Sequence, residues 1–255
     1  MEAFRLMVMI QNSLLIGFRF FLKGLQLVFS PSLRRFIIIP ILVNASVLIG
    51  LVVLTGSYLS QHFNAFLASY PSWLTTALGG LLWIIFSLSS LLLGTFLLTI
   101  LTNLIASPFY GLLAEKTEKN LSVSITALTP SIWKALPHTI ARELLKLLYF
   151  MPWFLLSFIL FIIPPTLPLA LLVWWVTLSC FLTVQYSDYT ADHAQIPLKQ
   201  MIKQLKRVPL SVLGFGGSVS FCMNIPGANL IIPPAAVAGG TAFWLALNSN
   251  DKMIK

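Results

Sequence analysis

The chain has 255 residues, of which 58% are hydrophobic and 9% are charged, with a formal net charge of +9 and a mean hydropathy of +0.90. This composition offers too few polar residues to cover the hydrophobic core of a soluble protein of this size. It therefore excludes a soluble globular protein and places the chain in a bilayer. The positive charge lacks the aromatic-rich basic sheet or recognition helix of nucleic-acid binding, so we expect membrane lipids, and no nucleic acid, as its partners. No cofactor is expected.

The first segment, residues 1–29, has the pattern of an amphipathic helix. Arg5, Asn12, Arg19 and Gln26 recur every seven residues, and large apolar residues fill the remaining faces. This spacing predicts an interfacial helix that carries a basic stripe against anionic lipid. No small-residue cleavage site follows its apolar part, so we expect no removable signal peptide.

Two transmembrane helices are predicted at residues 31–59 and 78–107. Each contains a charge-free run longer than the ~20 residues that a helix needs to cross ~30 Å of hydrocarbon. The loop between them has no Lys or Arg, whereas basic residues flank both outer ends. By the positive-inside rule these flanks and both termini are cytoplasmic, and residues 108–146 form a cytoplasmic helical segment.

Two further apolar stretches, residues 147–184 and 208–247, are flanked by basic residues at both ends and predict hairpins that enter and leave on the cytoplasmic side. IIPPTLP (162–168) breaks the first into arms of about 15 to 17 residues, and NIPGANLIIPP (224–234) breaks the second. Such arms favour partly membrane-penetrating hairpins, and the alternative is two tilted helical pairs that cross completely. A cytoplasmic basic segment, residues 185–207, joins them, so the fold class is a single all-α integral membrane domain.

Familiar catalytic motifs are absent from the sequence, so the protein is predicted not to be an enzyme. GFGGSVS (214–220) lacks the Lys-Ser/Thr ending of a phosphate-binding loop and is typical of close helix packing. SDYTADH (187–193) places Asp188, Asp192 and His193 within two turns. A metal site would need further ligands, so a polar cap beside the first broken hairpin is favoured there.

The stretch FSPSLRRFIIIP, residues 29–40, has the pattern of a helix N-terminus that binds an anion. Ser30 is a good N-cap, and Pro31 suits the first helical position because it has no N–H to leave unpaired. Ser32 and Leu33 are expected to present free amides. The helix dipole adds partial positive charge at the same end, which favours a bound anion.

Arg34 and Arg35 add two forked guanidinium donors to this helix start, and no carboxylate lies near them in the sequence. A donor-only site suits a fully deprotonated oxyanion such as sulfate, whereas phosphate near neutral pH retains a proton that requires an acceptor. The alternative is that the two arginines only anchor the topology of the helix.

Four long blocks occur along the chain: GLQLVFSPSLRRFIIIPILVN (24–44), IASPFYGLLAEKTE (105–118), QYSDYTADHAQIPLKQM (185–201) and IPGANLIIPPAAVAGGTAFW (225–244). In these blocks the chain closely resembles the CysZ family of bacterial inner-membrane sulfate permeases, although Thr190 stands where that family often has Pro. The resemblance implies a multi-pass inner-membrane protein, a homo-oligomer (dimer or higher), and sulfate uptake for cysteine biosynthesis. It also implies a sulfate site at the start of the first long helix: Ser32, Leu33, Arg34 and Arg35.

The long apolar runs within the two predicted spans, residues 36–58 and 78–106, contain no charged residue to carry a dianion or a proton, which favours a channel-like permease without ATP hydrolysis. The best candidates for a charged conduit at the cytoplasmic side are Glu115, Arg142, Glu143 and Lys146. The alternative is that these four form only a solvated salt-bridge cluster. The competing function is a membrane scaffold or accessory subunit that binds anionic lipid or a partner protein.

Overall fold

The structure, a computed structural model, describes residues 12–34, 110–121, 132–225, 228 and 231–253, together with scattered positions between 38 and 89. The chain divides into two compact units, one formed by residues 1–37 with 108–255 and the other by residues 38–107. All regular structure among the described residues is helical. The helices of the first unit are α1 (Leu14–Val28), α2 (110–120), α3 (Ile132–Ile162), α4 (Leu167–His193), α5 (Leu198–Leu205), α6 (Pro209–Met223) and α7 (Ile232–Met253).

The core of the first unit lies between α1, α4, α6 and α7. Helix α1 packs against α6 and α7, and α4 packs against α3, α6 and α7. Phe215 and Phe243 stack with ring centroids 5.9 Å apart, and the edge of Phe20 meets Phe243 at 5.3 Å. Gly24 lets α1 approach α7 closely, because a β-carbon there would overlap the Ala235 carbonyl. Small residues and aromatic pairs therefore fix these crossings.

Helices α3 and α4 form a hairpin that is broken where IIPPTLP predicts. A short 3₁₀ turn, Pro164–Thr166, separates them, because neither Pro164 nor Pro165 has an N–H to continue α3. The Thr166 hydroxyl donates to the carbonyls of Leu160 and Ile163, at 2.7 and 2.8 Å, and so satisfies acceptors that the helix end leaves free.

The arms of this hairpin are longer than the 15 to 17 residues expected from the apolar run alone. Helix α3 has 31 residues and α4 has 27, because each continues without interruption into the neighbouring charged segment. Ile140–Ile162 and Pro164–His193 are long and apolar enough to cross a membrane. Their outer faces are apolar and exposed, as at Ile159 and Leu172. The protein is an all-α membrane protein; complete crossing by this hairpin remains an alternative to partial penetration.

The second broken hairpin comprises α6 and α7. Helix α6 has 15 residues, fewer than the ~20 of a full crossing, and ends before the predicted break at 224–234. The Thr190 hydroxyl donates a hydrogen bond to that of Thr241 at 2.9 Å. Both threonines are fully buried, so this bond ties α4 to α7 in the core.

The second unit contains most of the two predicted spans, 31–59 and 78–107, and most of their residues lie outside the described part of the chain. The positions that are described, apart from residue 71, are helical. Apolar side chains such as Ile49, Val53 and Ile84 are more than half exposed, as lipid-facing residues are. The assignment of these spans as transmembrane helices stays a prediction.

Candidate functional site

A tight turn at residues 30–34 lies where the sequence predicts the anion site. The Ser30 carbonyl accepts hydrogen bonds from the amides of Leu33 and Arg34, each at 3.0 Å. These two bonds close the turn at Ser30. The role of Ser30 as a helix N-cap stays a prediction, because residues 35–37 lie outside the described residues. The expectation that the Leu33 amide is free is wrong, because the tightness of this first turn directs that N–H at the Ser30 carbonyl.

The side chains of the turn divide between the protein interior and its surface. Leu33 is completely buried and anchors the turn, whereas Ser32 and Arg34 are exposed. The Ser32 hydroxyl oxygen accepts a hydrogen bond from the side-chain amide of Asn120 at 2.8 Å and lies 3.3 Å from that of Ser30. Among the described residues no carboxylate pairs with the Arg34 guanidinium. Arg35 lies outside the described residues.

A second group of polar residues lies between α3 and α4, where two charged stripes face each other. His138, Arg142 and Lys146 recur every four residues on α3, and Asp188 and Asp192 have the same spacing on α4. Residues four apart share one face of a helix, so the basic stripe of α3 meets the acidic stripe of α4. This pairing makes the buried end of the hairpin electrostatically complementary.

Arg142 is the centre of this group. Its Nη2 and Nε donate to Asp188 Oδ1 at 2.7 and 2.9 Å, and Nε also lies 3.1 Å from Oδ2. Its Nη1 lies 3.1 Å from Asp192 Oδ1, and the same carboxylate oxygen is 3.7 Å from His138 Nδ1. Forked, charge-assisted bonds of this kind hold both partners in fixed orientations.

Lys146 is the most deeply buried cation described, with 1% of its side chain exposed. Its ammonium lies 2.8 Å from Glu143 Oε1 and 3.1 Å from Asp188 Oδ2. The Tyr189 ring lies 6.0 Å from the same nitrogen, and the Gln185 side-chain amide donates to Glu143 at 3.2 Å. Asp188 therefore binds Arg142 through both carboxylate oxygens, and its Oδ2 also pairs with Lys146.

The C-terminus of α4 contributes a backbone acceptor to the same group. Gln195 has a left-handed backbone, with φ of 54°, and its amide donates to Asp192 O at 2.8 Å. The Ile196 amide donates to Ala191 O at 2.9 Å, which completes a Schellman motif. This turn directs the Ile196 carbonyl at Arg142, whose Nη2 donates to it at 3.0 Å.

Helix α2 lies beside the C-terminal end of α4. The ring edge of Tyr110 meets Tyr189 at 5.9 Å, and burial raises the pKa of Tyr110 to about 12, which keeps its hydroxyl protonated. Glu118, with 2% exposure, lies 3.2 Å from His193 Nδ1. The hydrogen bond from Lys119 holds the pKa of Glu115 below its ordinary value.

Of the four residues predicted to form a conduit, the structure brings three together: Arg142, Glu143 and Lys146. Glu115 lies on α2 and pairs with Lys119, so it does not join the ion pairs around Arg142. The alternative of a solvated cluster does not describe the buried pairs, since the Arg142 side chain is only 9% exposed. A conduit through these residues stays a prediction.

Asp188 and Asn120 belong to these groups, although the sequence predicts no site role for either. The sequence predicts Asp188 only as part of a polar cap, yet its spacing of four from Asp192 matches that of the basic stripe of α3 and indicates a partner. No sequence pattern indicates Asn120, because its contact with Ser32 joins residues 88 positions apart. Only the folded chain shows that contact.

Comparison with known proteins extends over nearly the whole chain. The family profile described as sulfate transporter CysZ/etoposide-induced protein 2.4 matches residues 20–234. A protein of Vibrio parahaemolyticus named sulfate transporter CysZ is 36% identical, over 93% of this chain and 97% of that protein. Proteins of the same name from Pseudomonas fluorescens and Vibrio cholerae are also 36% identical, over 94% and 90% of this chain and 97% and 92% of their own lengths. The chain therefore belongs to the sulfate transporter CysZ/etoposide-induced protein 2.4 family.

Proposed function

We propose that this protein is a sulfate permease that takes up sulfate across the bacterial inner membrane for cysteine biosynthesis. The observation that carries the proposal is the match, over more than nine-tenths of the chain, to relatives named sulfate transporter CysZ. The turn at residues 30–34 supports it, because a cation and several hydrogen-bond donors are exposed there without a pairing carboxylate among the described residues.

Capture of sulfate takes place at this turn. The Arg34 guanidinium supplies forked donors, the Ser32 hydroxyl lies two residues before it, and by sequence Arg35 adds a second guanidinium. Sulfate near neutral pH has no proton to donate, so all of its oxygens can accept hydrogen bonds from the donors of this turn. Hydrogen phosphate must place its proton against an acceptor, and no carboxylate among the described residues pairs with Arg34 to supply a strong one, so we expect phosphate to bind more weakly than sulfate.

Helix α2 supplies a polar connection from the capture turn to the ion pairs around Arg142. Asn120 contacts Ser32 near the C-terminal end of the helix, and Glu118 contacts His193 two residues earlier. His193 follows Asp192, which pairs with Arg142. We propose that sulfate moves between the capture turn and a conduit formed by Arg142, Glu143 and Lys146, with Glu115 at its α2 side.

Membrane energetics restricts how such a permease works. Moving a dianion inward against the membrane potential costs ~4.6 kcal/mol per 100 mV, taking ~2.3 kcal/mol for each charge. That free energy corresponds to a concentration ratio of roughly 2,000-fold for each 100 mV. Net passive uptake therefore needs rapid consumption of sulfate inside the cell. The proposed mechanism is channel-like, without ATP hydrolysis.

The placement in the membrane and the assembly are further parts of the proposal. The basic flanks put both termini in the cytoplasm, and the chain crosses the membrane more than once. We propose a homo-oligomer, a dimer or larger, in contact with membrane lipids. Cross-linking in native membranes that captures only single chains would contradict the oligomer.

Flux through the purified protein tests the permease directly. Labelled sulfate should enter liposomes that contain only this protein faster than it enters empty liposomes, and should enter faster when the membrane potential is collapsed. Uptake no faster than in empty liposomes would reject the permease, and a scaffold or accessory subunit would then be the better assignment.

The capture turn is tested by Arg34→Ala with Arg35→Ala. Sulfate binding to the detergent-purified variant should weaken by about tenfold or more, because two guanidinium donors are removed, while membrane insertion is retained. The matched control is Lys199→Ala with Lys203→Ala, which removes two exposed cations from α5. Binding equal to that of the parent would refute the site. Inverted topology would show that the two arginines only anchor the helix.

A further inference from the structure

We propose that Asp188 is the internal counter-anion of the conduit. It pairs with Arg142 and Lys146 in the resting protein, and these ion pairs must break before sulfate passes. The inference rests on the proposed function, since it concerns what lies in the way of the transported anion. It assigns a positioning role to a residue outside both the capture turn and the four predicted conduit residues.

The Asp188 carboxylate makes the contacts that a bound oxyanion would make with Arg142 and Lys146. Its Oδ1 accepts from Arg142 Nη2 at 2.7 Å, and its Oδ2 lies 3.1 Å from the Lys146 ammonium. One anionic group therefore bridges two cations through two oxygens, which is how a bound sulfate would bridge them. The side chains of Asp188 and Lys146 are 6% and 1% exposed, so water does not replace either partner.

The charge balance shows why sulfate cannot simply be added to this group. Two cations, Arg142 and Lys146, face three carboxylates, those of Glu143, Asp188 and Asp192. The imidazole of His138 adds positive charge only when protonated, and it is 66% exposed. A dianion placed between the two cations would meet carboxylates already bound to both, so a carboxylate must leave.

Asp188 differs from the other two carboxylates in this group. Asp192 contacts Arg142 but not Lys146, Glu143 contacts Lys146 but not Arg142, and their side chains are 30% and 35% exposed. Both carboxylates are therefore partly hydrated already, unlike that of Asp188. Asp188 alone bridges both described cations from a buried position, so its release opens the cation pair.

The decisive experiment is a gain of binding, which a merely structural role for Asp188 would not give. Asp188→Asn is added to the background Arg34→Ala with Arg35→Ala, in which sulfate binding at the capture turn is weakened. The triple variant, titrated with labelled sulfate in detergent, should bind it about tenfold or more tighter than the background, because Arg142 and Lys146 have lost their shared anion.

The matched control in the same background is Asp192→Asn, which should change sulfate affinity by less than about twofold because Asp188 still bridges the cations. Equal gains from the two variants would overturn the assignment of Asp188, as would no gain from a folded triple variant. A parent that moves no sulfate would instead refute the proposed function, so the two failures are distinct.

A second measurement decides the matter if Asp188→Asn does not fold. The background variant itself should show no sulfate binding that depends on Lys146, because Asp188 keeps the cation pair closed. Residual binding that disappears on adding Lys146→Met would show that the cations are already open to sulfate, and would overturn the inference.

Discussion

Two arginines in this protein have the same chemistry and opposite surroundings. Arg34 lies exposed on the turn at residues 30–34, without a carboxylate partner among the described residues. Arg142 is buried in the α3–α4 hairpin, where Asp188, Asp192 and the Ile196 carbonyl accept its hydrogen bonds or pair with it. The first arginine can accept an anion from solution, whereas the second already has one.

This contrast separates capture from passage. A donor group at the surface binds sulfate without displacing any protein anion, so capture needs no rearrangement. A donor group inside the protein cannot remain unpaired, because an isolated buried charge is very unfavourable. The proposed conduit therefore carries its own carboxylates, and in the proposed mechanism sulfate exchanges with them.

The largest expected effect is on the free energy of unfolding, when Arg142 and Arg34 are each replaced by leucine. Arg142→Leu should lower the free energy of unfolding by ~3–5 kcal/mol, because it leaves buried Asp188 with only Lys146 as a charged partner. Arg34→Leu should lower it by less than ~0.5 kcal/mol, as exposed sites do. Denaturant unfolding in detergent micelles measures both values. Equal losses would mean that the contrast between buried and exposed arginine does not hold.

The next largest expected effect is on sulfate affinity, when the hydrogen bond between Asn120 and Ser32 is removed. Asn120→Ala should weaken sulfate binding by about fivefold, the equivalent of ~1 kcal/mol for one hydrogen bond that orients the Ser32 hydroxyl. Asn120→Asp should weaken it more, because a carboxylate then faces the anion. Lys119→Ala, on the same helix, is the control. If Asn120→Asp binds sulfate as the parent does, the contact has no part in capture.

Replacing Gln195, the residue with a left-handed backbone after α4, should have a smaller effect, and it should stabilise the protein. Gln195→Gly should raise the free energy of unfolding by ~0.5–1 kcal/mol, because glycine adopts a positive φ without the steric cost of a β-carbon. Ala194→Gly should lower it instead, since Ala194 has φ of −78° and glycine there only increases the freedom of the unfolded chain. A loss of stability from Gln195→Gly would refute this account of the turn that places the Ile196 carbonyl on Arg142.

Local features of the site could be predicted because they depend on neighbours in the chain. The break between α3 and α4 follows from Pro164 and Pro165, neither of which has an N–H to continue a helix. The basic face of α3 follows from residues spaced by four, such as Arg142 and Lys146. Each of these inferences needs only one turn of helix.

Contacts between distant parts of the chain could not be predicted in the same way. Arg142 and Asp188 are 46 residues apart, and nothing in either segment alone specifies that their stripes face each other. The apolar run alone predicts arms shorter than α3 and α4, because it ends where charged residues begin. In the folded chain those charges neutralise each other across the hairpin, so both helices continue through them.

The smallest expected effect concerns Glu115, the one predicted conduit residue that lies apart from the ion pairs around Arg142. Its pKa is lowered by the hydrogen bond from Lys119, so the pair stabilises the protein above the ordinary carboxyl pKa, and this contribution is lost as the pH falls through the lowered pKa. Glu115→Gln should therefore lower the free energy of unfolding by ~0.3–0.5 kcal/mol at pH 7, as an i,i+4 pair does, and this loss should shrink as the pH falls through the lowered pKa. Unfolding of parent and variant at pH 7 and over an acidic pH series, with Lys119→Met completing a double-mutant cycle, measures the coupling. A loss several times larger at pH 7 would show that Glu115 is coupled to charges beyond Lys119 and belongs with Arg142 after all.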